Sequence, residues 1–330
     1  MKKIYALLLA VIMLACGCTK KTDTLTSVDN VSSSDKQETK IKDVNTQTEI
    51  PVRILQETVD VEGIEREFNI FFLADSHISL CDDRDKELLE KASSRSSMFK
   101  VDDIEAWDRF DALILNASKG ENDIVILGGD IIDSAMYASI DHVSDRLKTL
   151  SIPYIYSMGN HDFEYAAEYF SPVAYQEYLP RLDDIHGSEQ YQVKEYDDFI
   201  IFAADDDNSQ IDAPILEAYK KEAAKGKPVV LIVHVPIEPV TGDDSLTEKC
   251  KEVWGASADN KSRVTMGVNG CYPNDTTREF LDLVLADDSP VVLVLAGHIH
   301  FYHKDMLNNK TVQIVTGAAF EGDALRVTLK

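Results

Sequence analysis

The chain has 330 residues, of which 44% are hydrophobic, and its formal net charge is −25 at pH 7. A surface this acidic repels nucleic acid and anionic membranes at long range. We therefore expect no binding to a nucleic-acid duplex. Five cysteines are too few for a disulfide framework, and the fold must therefore depend on an apolar core. Cys250 and Cys271 could pair in an oxidising compartment or remain separate free thiols.

The N-terminus has the pattern of a bacterial lipoprotein signal, which we assign to residues 1–18. Met1–Lys3 is basic, and Ile4–Ala15 is apolar but too short to span a bilayer. Small residues then precede Cys16 and Cys18, as in a lipobox, where the cysteine is lipidated and becomes the new N-terminus. We prefer Cys16, with Cys18 as the alternative; an ordinary secretory signal with incidental cysteines is the competing interpretation. The prediction is an extracytoplasmic protein that is anchored to a membrane.

Residues 19–50 have the composition of a disordered polar tether. They are rich in Thr, Ser, Asp, Lys, Gln and Asn, they include no Gly, Pro or aromatic residue, and their apolar residues are sparse. A coil of this length reaches about 30 Å, which suffices to hold a domain clear of a membrane surface. The remaining residues, 51–330, suit one large α/β domain.

Within residues 51–330, apolar strand-like runs alternate with helical patterns. The predicted strands, in chain order, are Phe68–Ala74, Ile124–Leu127, Pro153–Ser157, Tyr191–Val193, Phe199–Ala203, Pro228–Val233, Val291–Ala296, Thr311–Val315 and Ala324–Leu329. The predicted helices are Ile104–Ser118, Ser139–Leu150, Ala213–Lys225 and Thr276–Ala286, the last of which begins at a Thr cap. This alternation predicts an α/β fold, with parallel βαβ units first and antiparallel strands clustered late.

Five short motifs follow predicted strands, and ligands of α/β proteins gather at such carboxyl ends. They read A-D-S-H-I, G-G-D-I-I-D, G-N-H-D, V-H-V-P and G-H-I-H. The candidate metal ligands that they supply are Asp75, His77, Asp130, Asn160, His234, His298 and His300. With His161 beside Asn160, five of the eight histidines fall in these motifs. Each residue alone could be a turn aspartate, a helix cap or a core histidine, but the joint pattern favours a metal pair.

The residue types restrict the metal. Residues i and i+2 of a strand point to one side, so Asp75 and His77 can approach one ion, as can His298 and His300 if their segment is extended. Carboxylates mixed with imidazoles suit Mn²⁺, Fe or Zn²⁺, and the set is too rich in nitrogen for Ca²⁺. Two ions about 3.5–4 Å apart need a bridging ligand, and a carboxylate can bridge them.

The order of these motifs resembles that of the calcineurin-like metallophosphoesterase superfamily, over roughly Phe68–Thr316. The resemblance implies a four-layer α/β/β/α sandwich of two mixed sheets. It implies Asp130 as the bridge, with Asp75, His77 and His300 on one ion and Asn160, His234 and His298 on the other. It also implies that His161 serves the leaving group as general acid or charge stabiliser, and that Asp133 orients His161. Asp162 is a weaker candidate that could help through local hydrogen bonds.

Two differences from the family pattern argue against two branches of the family. Ser134 and Ala135 stand where the protein Ser/Thr phosphatase branch carries Arg-Gly, and His77 is present where the purple acid phosphatase branch lacks the D-x-H pattern. We therefore expect a metal-dependent phosphohydrolase that cleaves a small phosphomonoester, phosphodiester or nucleotide. The alternatives are a non-catalytic metal-containing binding lipoprotein, which should have lost a ligand, and a solute-binding lipoprotein, which should show two similar lobes.

The remaining polar residues have ordinary interpretations. We expect the acidic run Asp205–Asp207 to form a solvated loop, and the histidines outside the motifs, His142, His186 and His303, to be surface or structural residues. Four residues could line a substrate pocket, although loop packing is the commoner role: Trp254, Arg263, Tyr272 and Arg278.

Overall fold

The apolar runs of the sequence form two mixed β-sheets. The computed structural model describes residues 50–163, 177–206, 209–254, 264–267 and 273–330. The predicted lipidation sites Cys16 and Cys18, almost all of the predicted tether, and Cys271 lie outside these residues. Residues 48–330 cluster as one unit by their contacts. No helix in the described part of the chain is both long and apolar enough to cross a bilayer.

The first sheet has five strands in the order β1-β11-β2-β3-β4. Their bounds are Arg53–Val59 (β1), Phe68–Leu73 (β2), Ile124–Leu127 (β3), Tyr154–Tyr156 (β4) and Asp323–Leu329 (β11). Strands β2, β3 and β4 run parallel, whereas β11 is antiparallel to β2 and parallel to β1. All residues of β3 are buried, as expected for an apolar strand covered on both faces.

The second sheet has six strands in the order β5-β6-β7-β8-β10-β9. Their bounds are Tyr191–Glu195 (β5), Ile200–Ala204 (β6), Val229–Ile232 (β7), Val291–Ala296 (β8), His303–Met306 (β9) and Val312–Val315 (β10). The four central strands are parallel, and the edge strands β5 and β9 are antiparallel to their neighbours. The predicted late clustering of antiparallel strands is therefore only partly right, because β10 pairs in parallel with β8.

Helices cover the outer faces of both sheets. Their bounds are Leu89–Met98 (α1), Ala106–Lys119 (α2), Tyr137–Leu147 (α3), Ala213–Ala223 (α4), Ser245–Trp254 (α5) and Asp275–Leu285 (α6). Short 3₁₀ turns lie at Asp83–Leu88, Leu179–Leu182 and Ala319–Glu321. Helix α2 buries Phe110, Leu113, Ile114 and Ala117, the spacing of one apolar helix face.

Three apolar clusters define the layers. The central one joins Phe72 and Ile126 of the first sheet to Ile201 and Val230 of the second, so the two sheets pack face to face. A second cluster packs the first sheet against α2 and α3. A third packs the second sheet against α4 and α6, and it includes Phe280. The expected α/β/β/α sandwich of two mixed sheets is thereby confirmed.

The sequence patterns missed four elements and misplaced one cap. Strands β1 and β9 and helices α1 and α5 were not predicted, because they carry many polar residues and show little apolar periodicity. Helix α6 begins at Asp275, and its cap is not a threonine. The side chain of Asn274 accepts a hydrogen bond from the backbone N–H of Thr277 at 2.8 Å.

Candidate metal centre

All seven candidate ligands lie just beyond the carboxyl ends of parallel strands. Asp75, Asp130 and Asn160 follow β2, β3 and β4 of the first sheet, and the three histidines of the second sheet follow β7 and β8. His77 lies in the same loop as Asp75. The two sheets face each other, so their carboxyl ends supply one shared site.

The ligand loops are not continuations of the strands. Of the eight non-glycine residues with positive φ in the described part of the chain, five are candidate ligands: Asp75 (58°), His77 (48°), Asp130 (52°), His298 (73°) and His300 (61°). This left-handed region is uncommon for residues with a Cβ atom, and such strain concentrates at functional sites. Alternation along an extended strand is therefore not what brings Asp75 and His77 together, and the condition that the segment of His298 and His300 be extended is not met.

The ligand atoms converge in two clusters. One consists of Asp75, His77 and His300, and the other of Asp130, His234 and His298; within each, the ligand atoms lie within 4.8 Å of one another. His298 and His300, two residues apart, thus belong to different clusters. In the first, His300 Nε2 lies 3.5 Å from Asp75 Oδ1 and 3.2 Å from His77 Nε2. Two buried groups and the half-buried His300, which converge in this way, fit a transition-metal ion.

Asp130 lies between the two clusters. Its Oδ2 atom is 3.1 Å from His234 Nε2 and 3.8 Å from His77 Nε2, so one carboxylate faces both. The Asn160 Oδ1 atom is buried and has no hydrogen-bond partner among the described residues. Buried polar atoms of this kind call for a ligand. The donor set therefore fits two divalent ions that share Asp130.

Two glycines permit this close approach. A Cβ atom on Gly129, where φ is +91°, would lie 2.5 Å from His234 Nδ1. A Cβ atom on Gly159 would lie 2.5 Å from Asp130 Oδ1. Both distances are below van der Waals contact, so both positions require glycine for space, and Gly129 requires it for its positive φ as well.

Asp162 holds two of the ligand loops in place through hydrogen bonds to their backbone. Its carboxylate is fully buried and accepts hydrogen bonds from the backbone N–H groups of Asp130 (2.7 Å), Ile132 (3.0 Å) and Gly159 (2.8 Å), as well as from the Tyr156 hydroxyl (2.5 Å). Burial, followed by the charge of Asp130, raises the pKa of Asp162 to about 6. Asp162 therefore positions backbone next to the ligands rather than contacting an ion.

Asp206 fastens the His234 loop in a similar way. It is fully buried and accepts hydrogen bonds from the backbone N–H groups of His234 (3.0 Å) and Val235 (2.8 Å). Burial raises the pKa of Asp206 to about 7. The neighbouring Asp205 accepts from the backbone N–H of Met158 at 2.8 Å and contacts His186 Nε2 at 3.0 Å. The prediction of a solvated loop is therefore wrong for Asp205 and Asp206, because both carboxylates satisfy buried amides; Asp207 lies outside the described residues.

Asp133 contacts two histidines at the edge of the site. Its Oδ1 atom is 3.1 Å from Nδ1 of His77 and 3.1 Å from Nδ1 of His161. The backbone N–H of His161 donates to Asp130 Oδ1 at 2.7 Å, which fixes this residue beside the shared carboxylate. Burial works against a charged imidazole, but Asp130 and Asp133 raise the pKa of His161 above its ordinary value. Nδ1 of His161 is therefore the ring nitrogen that faces Asp133.

Sequence reasoning missed Arg95 of α1, which donates two hydrogen bonds to Asp133. Burial alone would raise the pKa of Asp133, but Arg95, His161 and His77 together hold it well below its usual range. No motif marks Arg95. The sequence offers one weak signal, an arginine within a segment that has little apolar periodicity.

The four predicted pocket residues have different positions. The ring of Trp254 lies 6.2 Å from that of His300, and Arg278 is on α6. Arg263 and Tyr272 lie outside the described residues.

Comparison with known protein families identifies the family of this chain. A profile of the family described as calcineurin-like phosphoesterase matches residues 68–302, which is more than half of the chain. No curated protein sequence matches the chain significantly.

Solved structures resemble the chain at low sequence identity. A dimetal phosphatase from Danio rerio is 13% identical, with a TM-score of 0.43, over 77% of this chain and 88% of that one. The purple acid phosphatase PPD1 from yellow lupin (Lupinus luteus) seeds is 14% identical, with a TM-score of 0.46, over 81% of this chain. This chain spans only 46% of the lupin enzyme. The phosphopantetheinyl hydrolase PptH from Mycobacterium tuberculosis is 12% identical, with a TM-score of 0.41, over 78% and 92% of the two chains.

Proposed function

The chain belongs to the calcineurin-like phosphoesterase family, and on that premise we propose that it is a metal-dependent hydrolase of a small phosphoester. The observation that carries the proposal is the pair of ligand clusters that meet at Asp130. An incomplete ligand set would indicate a family member that binds its ligand without catalysis. Here the candidate aspartates and histidines lie in the two clusters, which supports hydrolysis over the function of a binding lipoprotein.

Two divalent transition-metal ions, Mn²⁺, Fe or Zn²⁺, would supply the activation of water near neutral pH and the neutralisation of phosphoryl oxygens. In the proposal, Asp75, His77 and His300 hold one ion, Asn160, His234 and His298 hold the other, and Asp130 is shared. The carbonyl oxygen of Gly128 accepts a hydrogen bond from His234 Nδ1 at 2.9 Å. The other ring nitrogen, Nε2, is therefore the atom of His234 that would ligate the metal.

The proton for the leaving group comes from His161 in this proposal. Asp133 Oδ1 lies 3.1 Å from Nδ1 of the imidazole and orients the ring, and the charged imidazole carries a proton on each ring nitrogen. The raised pKa of His161 favours this charged form. His161 is 17% exposed in its side chain, so a substrate oxygen can reach it from solvent. His161 is thus the proposed general acid, and Asp133 its positioning residue.

We also propose that the protein works outside the cytoplasm on a lipid anchor at Cys16, or alternatively at Cys18. The support is the sequence alone: a basic start, a short apolar segment, small residues before a cysteine and a polar segment thereafter. The strongly acidic composition favours such a covalent anchor over electrostatic adsorption to an anionic membrane.

A substrate panel tests the proposed hydrolysis. The protein, reconstituted with Mn²⁺, is assayed against phosphomonoesters, phosphodiesters and nucleotides, with and without a chelator. We expect chelator-sensitive turnover of at least one class, and His234→Ala should abolish it while His142→Ala leaves it intact. Loaded and folded protein that hydrolyses none of the three classes would instead support the binding lipoprotein.

A further inference from the structure

Helix α1 brings a buried arginine to the edge of the metal centre. The Arg95 side chain is only 9% exposed. It donates from Nε to Asp133 Oδ2 at 2.5 Å and from Nη2 to Asp133 Oδ1 at 2.7 Å. This two-point contact is the strong form of an arginine–carboxylate pair, and it fixes the plane of the carboxylate as well as its charge.

The same carboxylate serves two histidines. Asp133 Oδ1, which accepts from Arg95, also lies 3.1 Å from Nδ1 of His77 and 3.1 Å from Nδ1 of His161. One of these histidines is a candidate metal ligand and the other is the proposed general acid. The orientation of Asp133 therefore sets the orientation of both rings.

Phe99 closes the arrangement on its other side. It follows α1, and its ring stacks on the imidazole of His77 with centroids 4.0 Å apart and an angle of 4° between the planes. The Arg95 guanidinium carbon lies 4.9 Å from the centroid of the same Phe99 ring. His77 is thus held at its edge by Asp133 and on its face by Phe99, and Arg95 contacts both of these residues.

Without Arg95, Asp133 could serve as a metal ligand. His77, Asp133 and His161 themselves form a group whose ligand atoms lie within 4.8 Å of one another, which is the geometry of a third metal site. An ion there would occupy His161 and remove it from proton transfer. Arg95 contacts both carboxylate oxygens of Asp133 and brings a positive charge, and both effects oppose a cation at that position.

We propose that Arg95 is a positioning residue that reserves Asp133 as a hydrogen-bond acceptor for His77 and His161 and keeps Asp133 from ligating metal. The expected effect of Arg95 on turnover rests on the proposed phosphohydrolase function. The expected effect of Arg95 on the orientation of His77 and His161 does not. Arg95 acts through Asp133 and touches neither ion nor substrate in this role.

The kinetic test compares Arg95→Met and Arg95→Lys with the matched control Arg84→Met. Arg84 is an exposed arginine that pairs with Asp82 and Asp141 on the surface. Loss of a residue that orients a metal-site group typically costs about 10–100-fold. We expect a loss of that size in kcat for an alkyl phosphoester under Arg95→Met, with a much smaller loss for a nitrophenyl ester and little change in KM. Arg95→Lys should recover part of the loss, and Arg84→Met should match the wild type.

A second readout is independent of turnover. Protein labelled with ¹⁵N-histidine and loaded with Zn²⁺ should show Nδ1-protonated His77 and His161 in the wild type. In Arg95→Met, we expect His161 to lose this signature, or elemental analysis to find a third ion. If Arg95→Met fails to fold, Arg95→Lys carries the same test, because it keeps the charge but cannot make the two-point contact.

Two outcomes would overturn the proposal. One is an Arg95→Met protein with wild-type histidine spectra and two ions. The other is equal slowing of both ester classes with a lowered Tm and unchanged spectra, since that is the result of a merely structural role. If the wild type hydrolyses no ester, the proposed function fails, and the spectra and metal content still decide the role of Arg95.

Discussion

The backbone N–H of His298 points at the carboxylate of Asp75, with its nitrogen 3.1 Å from Oδ1 and 3.0 Å from Oδ2. Asp75 belongs to one ligand cluster and His298 to the other. Asp75 follows a strand of the first sheet, and His298 follows a strand of the second. This hydrogen bond therefore links the two clusters, and a displacement of either ligand loop should shift ligands of both.

The chain from Ile50 onward should bind two transition-metal ions. Elemental analysis after reconstitution with Mn²⁺ measures this directly, and we expect two ions per chain because six candidate ligands form two neighbouring clusters. His234→Ala should lower the content to one ion or fewer and remove activity with it, while His142→Ala should retain both ions. Well-folded wild-type protein with a single ion, or none, would contradict the two-metal assignment.

His161→Ala should slow turnover far more than it lowers metal content. Loss of a general acid typically costs about 10²–10⁴-fold in rate. Alkyl phosphoesters need this proton and should show the full effect, whereas nitrophenyl esters leave readily as anions and should show a smaller one. Rates for both classes, measured beside metal content, check the prediction. Equal losses for both esters, or loss of the ions, would assign His161 another role.

Asp206→Ala should destabilise the fold and weaken metal binding together. It leaves the buried backbone N–H groups of His234 and Val235 without an acceptor. Each orphaned buried donor costs about 1–3 kcal/mol, so the loss of two acceptors should lower the free energy of unfolding by about 2–6 kcal/mol. Asp206→Asn retains one acceptor oxygen and should cost less, and the exposed Asp287→Ala is the control. Urea denaturation with chelator present measures all three, and an Asp206→Ala protein as stable as the control would refute the role.

Stability should fall as pH rises from about 6.5 to about 9, because of one buried ion pair. The charge of Asp205 outweighs the effect of burial and raises the pKa of His186 to about 9 in the folded protein. A raised histidine pKa stabilises the fold fully below the unfolded value near 6.5, and this contribution is lost as pH passes about 9. Burial also raises the pKa of Asp205, which is a cost to its charged form, so we expect a net change of only about 1–3 kcal/mol.

The measurement is the free energy of unfolding against pH in chelator, for the wild type and for His186→Gln. Metal-ligand histidines titrate in both proteins and cancel in the difference. The wild type should lose stability relative to His186→Gln across this range. A difference that stays flat from pH 6 to pH 9 would show that the His186–Asp205 pair does not titrate as argued.

Membrane attachment should depend on Cys16 or Cys18. In the native host, a fatty-acid analogue should label the wild type, because the segment before these cysteines has the composition of a lipobox. Cys16→Ala combined with Cys18→Ala should lose the label, and the single variants should identify the lipidated residue. Label that persists in the double variant would exclude both sites.

The sequence predicted much of the core because local patterns dominate there. The short run Ile124–Leu127 is apolar throughout and was predicted with the bounds it has in the structure, since only a buried strand suits it. Helix α2 was predicted from its apolar face, within two residues at its N-terminus. Helix α1 was missed for the opposite reason: its sequence, LEKASSRSSM, has almost no apolar face, and its place depends on contacts such as that of Arg95 with Asp133.

The sequence by itself determined the fold class and the set of residues that the structure brings together, because a strand pattern fixes where a chain turns and polar motifs mark those turns. Only the tertiary structure decided how closely the ligands of the two sheets approach one another, that Asp205 and Asp206 are buried, and that Arg95 holds Asp133. These relationships join residues that are far apart in the chain. They are set by how two sheets pack on each other, and no local periodicity encodes that packing.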